Sequence, residues 1–192
     1  TEMGGDLVDV VMPRGENGHV DVYLADVSGH GVKAGIVMGM VKSAIRTRLL
    51  GDASSQGEPA PLHELLGDLN AVLEKLIAPE MFATFACLRF GAPHADGRVE
   101  FALAGHLPIL HYRAHERRVD DLPNEHLPLG LEPDEAFTST TATAAPGDTF
   151  AMFTDGLSET ADAKGRQLGL GGVRAAFEAS ATRPLKELFD AV

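Results

Sequence analysis

The chain has 192 residues, 44% of them hydrophobic, with charges interspersed, which is enough for one sizeable core and sets the expectation of a single domain over residues 1–192. Its 16 Lys and Arg against 28 Asp and Glu give a formal charge of −12 with no basic run, which argues against nucleic acid or an anionic membrane surface as partner. The single Cys87 rules out an internal disulfide framework and suits a reducing compartment, the cytoplasm, and no apolar stretch approaches the roughly 20 residues that span a bilayer.

The chain opens at Thr1 already in mid-pattern, so a piece of a longer protein is expected. Leu7–Met12 alternates as a strand, Pro13–Gly18 reads as a turn and Val20–Ala25 as the returning strand. In a hairpin centred near Gly15 and Glu16, facing residues have numbers summing to about 31 or 32, which sets Asp6 beside Asp26. Val32, Ile36, Val37, Met40, Val41, Ala44, Ile45 and Leu49 then recur at three- and four-residue spacing, an amphipathic helix running to Leu50. Its Gly35 and Gly39 either admit another element closely or are tolerated helix glycines. Gly51–Ala60 reads as a linker, and Pro61–Leu76 as a second amphipathic helix stopping before Pro79.

From Met81 the period changes to two: Phe82–Phe90, a turn at Gly91–Gly97, Val99–Ala104, Pro108–Tyr112 and Arg118–Leu122 read as an antiparallel meander. A loop over Pro123–Pro133 is followed by Phe137–Thr143, the turn Ala145–Asp148 and Thr149–Thr154, which runs into Asp155-Gly156. Leu168–Gly172 reads as a glycine-rich turn, Val173–Ala181 as a short helix and Leu185–Val192 as the start of another. The order implies antiparallel sheet with helices packed outside it, an α+β protein.

Asp26-Val27-Ser28-Gly29-His30-Gly31 joins a strand to a helix, where a carboxylate is held by the sheet behind it and glycines let backbone groups turn towards a ligand. Two carboxylates meeting at a hairpin mouth repel unless a cation or proton lies between them. Asp6, Asp26 and Asp155, each beside glycine or at a strand end, suit Mg²⁺ or Mn²⁺ better than zinc. The eight histidines form no zinc motif, and without a G-x-S-x-G elbow Ser28 and His30 do not make a serine hydrolase; Ser28 reads as a helix cap.

Gly4-Gly5-Asp6-x-x-Asp9, Asp26-Val27-Ser28-Gly29-His30-Gly31, Ala104-Gly105-His106-x-Pro108, Leu129-Gly130 and Thr154-Asp155-Gly156-Leu157-x-Glu159, in this order, resemble the SpoIIE/RsbU-type branch of the metal-dependent PPM protein serine/threonine phosphatases. The resemblance implies an α-β-β-α sandwich of two mainly antiparallel sheets flanked by helices, with a dinuclear Mn²⁺ or Mg²⁺ centre at one end. Carried over residue by residue, Asp26 would bridge two ions, the Val27 carbonyl would ligate one, Asp155 the other, and Asp6 would hold water on them. His30 is the nearest candidate to protonate the leaving oxygen, though its position differs from that of the histidine in eukaryotic-type relatives. His106 would order the loop, and Glu159 and Asp162 read as solvated loop acids.

The implied substrate is a phosphorylated STAS-domain protein of anti-anti-sigma type, with a sensor domain upstream. The family's first strand ahead of Gly-Gly-Asp and its terminal Asp-Asp-x-Thr segment do not stand in these residues, so the second ion is expected to be short of a ligand and an exposed sheet edge to invite dimerisation. The competing expectation is a non-catalytic signalling module that keeps the fold and an incomplete metal site.

Overall fold

The computed structural model describes residues 4–12, 18–52, 59–91, 97–184 and 187. The turn expected at Pro13–Gly18, the linker Gly51–Ala60, the turn Gly91–Gly97 and the terminal helix Leu185–Val192 fall wholly or largely outside them. In chain order the elements are β1 (Asp6–Val11), β2 (Val20–Val27), α1 (Val32–Asp52), α2 (Leu62–Leu76), β3 (Ala83–Phe90), β4 (Arg98–Ala104), β5 (Ile109–Arg113), β6 (Arg118–Leu122), β7 (Thr140–Thr143), β8 (Thr149–Ala151), α3 (Asp155–Ser158) and α4 (Gly169–Ser180). They fall into two compact units, one of residues 1–106 with 124–143, the other of residues 107–123 with 144–192.

The first unit holds a five-stranded antiparallel sheet in the order β1-β2-β3-β4-β7. Alternation along each strand puts Leu7 and Val11, Tyr23, Ala25 and Val27, Phe85 and Cys87, and Ala102 and Ala104 in one buried cluster with the helices. Helix α1 contributes Ala34, Val37, Val41, Ile45 and Leu49, and α2 contributes Leu62, Leu65, Leu66, Leu69 and Leu73. Each large apolar side chain so buried stabilises the unit by about 1.5–3 kcal/mol before its ordering entropy is counted. The α2 stripe matches its sequence reading. In α1 the buried line starts from Ala34, so Val32 and Ile36, expected on the stripe, face solvent. Open space lies where a Cβ of Gly39 would stand, so that glycine is tolerated and admits no close neighbour.

Polar contacts fix how the helices sit on this sheet. Arg46 on α1 donates from Nε (2.7 Å) and a terminal nitrogen (2.9 Å) to the two oxygens of Asp9 on β1, which also accepts from the Tyr23 hydroxyl. The Asp9 carboxyl is held far below the usual carboxylate range, by Arg46 above all. At the start of α2, buried Arg89 on β3 donates to the Ala60 carbonyl and to both oxygens of fully buried Asp21, while Glu100 accepts from the Leu62 amide. Burial pushes the Asp21 carboxyl up, but the His19 ring 3.2 Å away and the Arg89 guanidinium outweigh it, and the group lies below its ordinary value.

The second unit has a three-stranded antiparallel sheet, β6-β5-β8, packed through Leu110, Tyr112, Val119 and Phe153 on Val173 and Phe177 of α4. Buried His111 stacks on Phe150 and meets Asp148 at 3.0 Å, and Asp148 accepts from the amides of Ala114 and Ala145.

The two antiparallel sheets and four helices among the described residues agree with the α+β expectation, and several boundaries move. The expected meander ends at β4, because β5 pairs with β6 and β8 in the other sheet while β4 takes β7 as its neighbour. Gly105, at φ +63°, turns the chain there and gives its amide to the His126 carbonyl and Asn124 Oδ1. β7 is shorter than Phe137–Thr143 because the Thr138 amide donates to His126 Nε2 instead of to a ladder. β8 stops at Ala151, ahead of the single turn at Asp155. The glycine-rich stretch expected as a turn lies inside α4: Leu168 fills the place of a Gly172 side chain, and packing of Val173 and Phe177 overrides the poor helix propensity.

Candidate metal centre

The β1–β2 register pairs Asp6 with Asp26, a sum of 32, as the hairpin arithmetic requires. Paired residues of antiparallel strands project to the same face with Cβ atoms about 4.5–5.5 Å apart, so two carboxylates stand together at the open end of the hairpin. Asp6 is exposed and Asp26 half-buried.

One residue earlier, Gly5 faces Val27, and the Val27 amide donates to the Gly5 carbonyl at 3.2 Å. A Cβ at Gly5 would lie 2.2 Å from the Val27 carbonyl oxygen, a backbone contact that no flexible side chain can relieve. Glycine is therefore required here for β1 to lie against the Val27 peptide. Gly5→Ala is expected to force the strand ends apart, lowering stability by about 1–3 kcal/mol in urea denaturation and weakening Mn²⁺ binding in a calorimetric titration.

After Val27 the chain is pinned to β3. The Ser28 amide donates to the Phe82 carbonyl and Ser28 Oγ accepts from the Phe82 amide, both at 2.9 Å. This corrects the expectation of Ser28 as a helix cap: its hydroxyl ties the loop to the neighbouring strand. Gly29 and Gly31 adopt φ values of +88° and +81°, and exposed His30 lies between them. The first intrahelical bond of α1 runs from the Gly35 amide to the Gly31 carbonyl.

The β2–β3 register adds a residue that the sequence reading did not single out. Thr84 pairs with Asp26, and its Oγ1 lies 2.8 Å from Nδ1 of His106, which is only 6% exposed. Pairing the third strand against the second would have pointed to Thr84. His106 follows Gly105, whose absent side chain leaves room for Pro128, and the Leu129 segment bonds reciprocally with Ala83.

Asp155 belongs to the second unit and is the exposed first residue of α3, its carbonyl accepting from the Glu159 amide and Ser158 Oγ. Glu159 is exposed. Asp162, expected to be merely solvated, organises the 162–166 turn by accepting from the amides of Lys164 and Arg166 and from the Arg166 side chain, which hold its carboxyl below the usual range.

Among the described residues no three His, Cys, Asp or Glu side chains gather into a group able to hold a metal ion. What the first unit offers is the Asp6 and Asp26 carboxylates with the Val27 carbonyl beside them, an all-oxygen donor set that fits a hard cation completed by water.

The fold is that of PP2C-type phosphatase domains. The structure resembles the RsbU and RsbW domains of Rv1364c from Mycobacterium tuberculosis, with a TM-score of 0.79 and 24% identity over 98% of this chain and 49% of that one. It also resembles the SiaA-PP2C domain of Pseudomonas aeruginosa, with a TM-score of 0.76 and 18% identity over 98% of this chain and 70% of the other. The model of the SpoIIE family, Stage II sporulation protein E, matches residues 16–192, and the chain belongs to that family. Phosphoserine phosphatase RsbU of Bacillus subtilis (strain 168) is 27% identical over 158 residues, which are 82% of this chain and 44% of that protein. The chain thus spans less than half the length of this relative.

Proposed function

We propose that the chain is the catalytic part of a metal-dependent protein serine/threonine phosphatase that hydrolyses phosphoserine or phosphothreonine on a partner-switching regulator, a phosphorylated STAS-domain protein of anti-anti-sigma type. The observation that carries this reading is the pairing of Asp6 with Asp26 beside the Val27 carbonyl, in a chain of the SpoIIE family similar to a phosphoserine phosphatase. The family match runs through both units, which supports reading them as one functional domain. A relative that carries RsbU and RsbW domains in one chain supports the partner-switching setting. An upstream sensor domain and a homodimer belong to the same proposal. The single, buried Cys87 and the absence among the described residues of a helix long and apolar enough to cross a membrane are compatible with action in the cytoplasm.

Asp6, Asp26 and the Val27 carbonyl would hold Mn²⁺ or Mg²⁺, two ions being expected, and the motif at Asp155 supplies the further carboxylate of this reading. Such ions, when bound, activate water for in-line attack and offset charge developing on a phosphoryl group. The chain's own contribution is positional. Gly5 lets Asp6 approach, the Ser28–Phe82 bonds hold the Val27 peptide, and exposed His30 is the candidate to give a proton to the leaving seryl oxygen.

A non-catalytic signalling module with an incomplete metal site is the second reading, favoured by the absence of a three-residue metal group among the described residues. Assay of the chain on a phosphoserine-bearing STAS protein with Mn²⁺, and again after removal of the ion by EDTA, separates the two. Phosphate release that stops with EDTA supports the phosphatase; Mn²⁺ binding without release supports the module.

A further inference from the structure

We propose that Thr84 and His106 are positioning residues for the Asp26 carboxylate: His106 Nδ1–H donates to Thr84 Oγ1, and the Thr84 hydroxyl hydrogen is thereby turned to Asp26. The proposal rests on the reading of Asp26 as a cation ligand and extends it to residues beyond the donor set.

Three observations carry it. Asp6, Asp26 and Thr84 are consecutive register partners across β1, β2 and β3, so their side chains form one row on one face of the sheet. Thr84 Oγ1 and His106 Nδ1 are 2.8 Å apart, within hydrogen-bond distance, and a hydroxyl that accepts from a ring N–H keeps its own hydrogen for a second acceptor. The placement of His106 is over-determined. The Gly105 amide is held by Asn124 and the His126 carbonyl, and a Cβ at Gly105 would lie 2.3–2.7 Å from Pro128 atoms, so the imidazole enters the fold at one angle. Burying an imidazole costs solvation that an apolar residue would not lose, and the bond to Thr84 gives that cost a purpose at the end of the row. A carboxylate fixed by a hydroxyl keeps its oxygens where a cation needs them, and losing such a support commonly weakens metal binding by 10- to 100-fold.

The test is calorimetric titration of Mn²⁺ into the 192-residue chain and its Thr84→Val, Thr84→Ser, His106→Leu and Asp26→Ala variants, with thermal unfolding recorded for each. Thr84→Val keeps the shape and removes the hydroxyl, so binding is expected to weaken about tenfold or more, with Thr84→Ser staying within about twofold of the starting chain and Asp26→Ala losing the site. His106→Leu is expected to follow Thr84→Val; should it fail to fold, the Thr84 pair alone decides. Equal binding by Thr84→Val and the starting chain, with binding lost in Asp26→Ala, overturns the proposal and leaves the metal reading standing. Binding as weak in Thr84→Ser as in Thr84→Val also overturns it, because the hydroxyl would then not be the support. Unchanged binding in Asp26→Ala overturns the metal reading and this proposal with it.

Discussion

Asp26→Ala is expected to leave a folded protein whose hydrolysis of a phosphoprotein falls roughly a thousandfold, about 4 kcal/mol at 1.36 kcal/mol per factor of ten. The fold should persist because Asp26 is half-buried at a strand end, while the apolar face of its strand is carried by Tyr23, Ala25 and Val27. Removing one of two facing carboxylates also removes their mutual repulsion, so a small gain in stability without metal is expected alongside the loss of turnover. Both are measurable on one preparation, by phosphate release with Mn²⁺ and by urea denaturation in EDTA. Full turnover by a folded Asp26→Ala chain would remove Asp26 from the site.

Arg89→Met carries the largest expected loss of stability, about 3–5 kcal/mol in urea denaturation at neutral pH, because it strips a guanidinium from a carboxylate that has no access to water. Asp21 is fully buried, and Arg89 meets it at 2.7 Å and 3.2 Å. In the variant, burial of the carboxylate is opposed by His19 alone, and the Ala60 carbonyl at the approach to α2 loses its donor. The sign of the pH dependence in the parent protein follows. Asp21 has its carboxyl lowered from 3.8 on folding, so its stabilising contribution is present above that value and is lost as the pH falls towards the folded one. A loss below about 1 kcal/mol in Arg89→Met would mean that Asp21 recruits another partner or water.

How much was legible in the sequence depends on how far each contact reaches. The Asp6–Asp26 pair was readable because a hairpin turn and two alternating strands fix a register without reference to the rest of the chain. Thr84 was not, since its place opposite Asp26 depends on which later strand docks on β2. The misread meander has the same origin: period-two alternation is identical whether β5 follows β4 in one sheet or starts another. Gly5 was readable as part of a motif but not for its reason, the Val27 carbonyl 2.2 Å from where its Cβ would stand. Ser28 precedes a helix, the place of a cap, whereas its observed partner is 54 residues away. Val32 and Ile36 carry the spacing of the buried stripe yet face solvent, because apolar character at helical spacing does not tell which of two adjoining faces meets the sheet.

The interleaving of the two compact units bears on how the polypeptide is made. The first unit needs residues 124–143 to finish: β7 closes the outer edge of β4, and Leu129 and Phe137 complete its buried cluster. During synthesis β5 and β6 must therefore emerge while that unit is still open, with the edge of β4 unpaired. Long-range closure of this kind slows folding, and an open edge in the interval is a surface on which nascent chains can pair with one another. A released chain ending just after Leu122 should consequently be sensitive to protease at β4, and one running beyond Thr143 protected there.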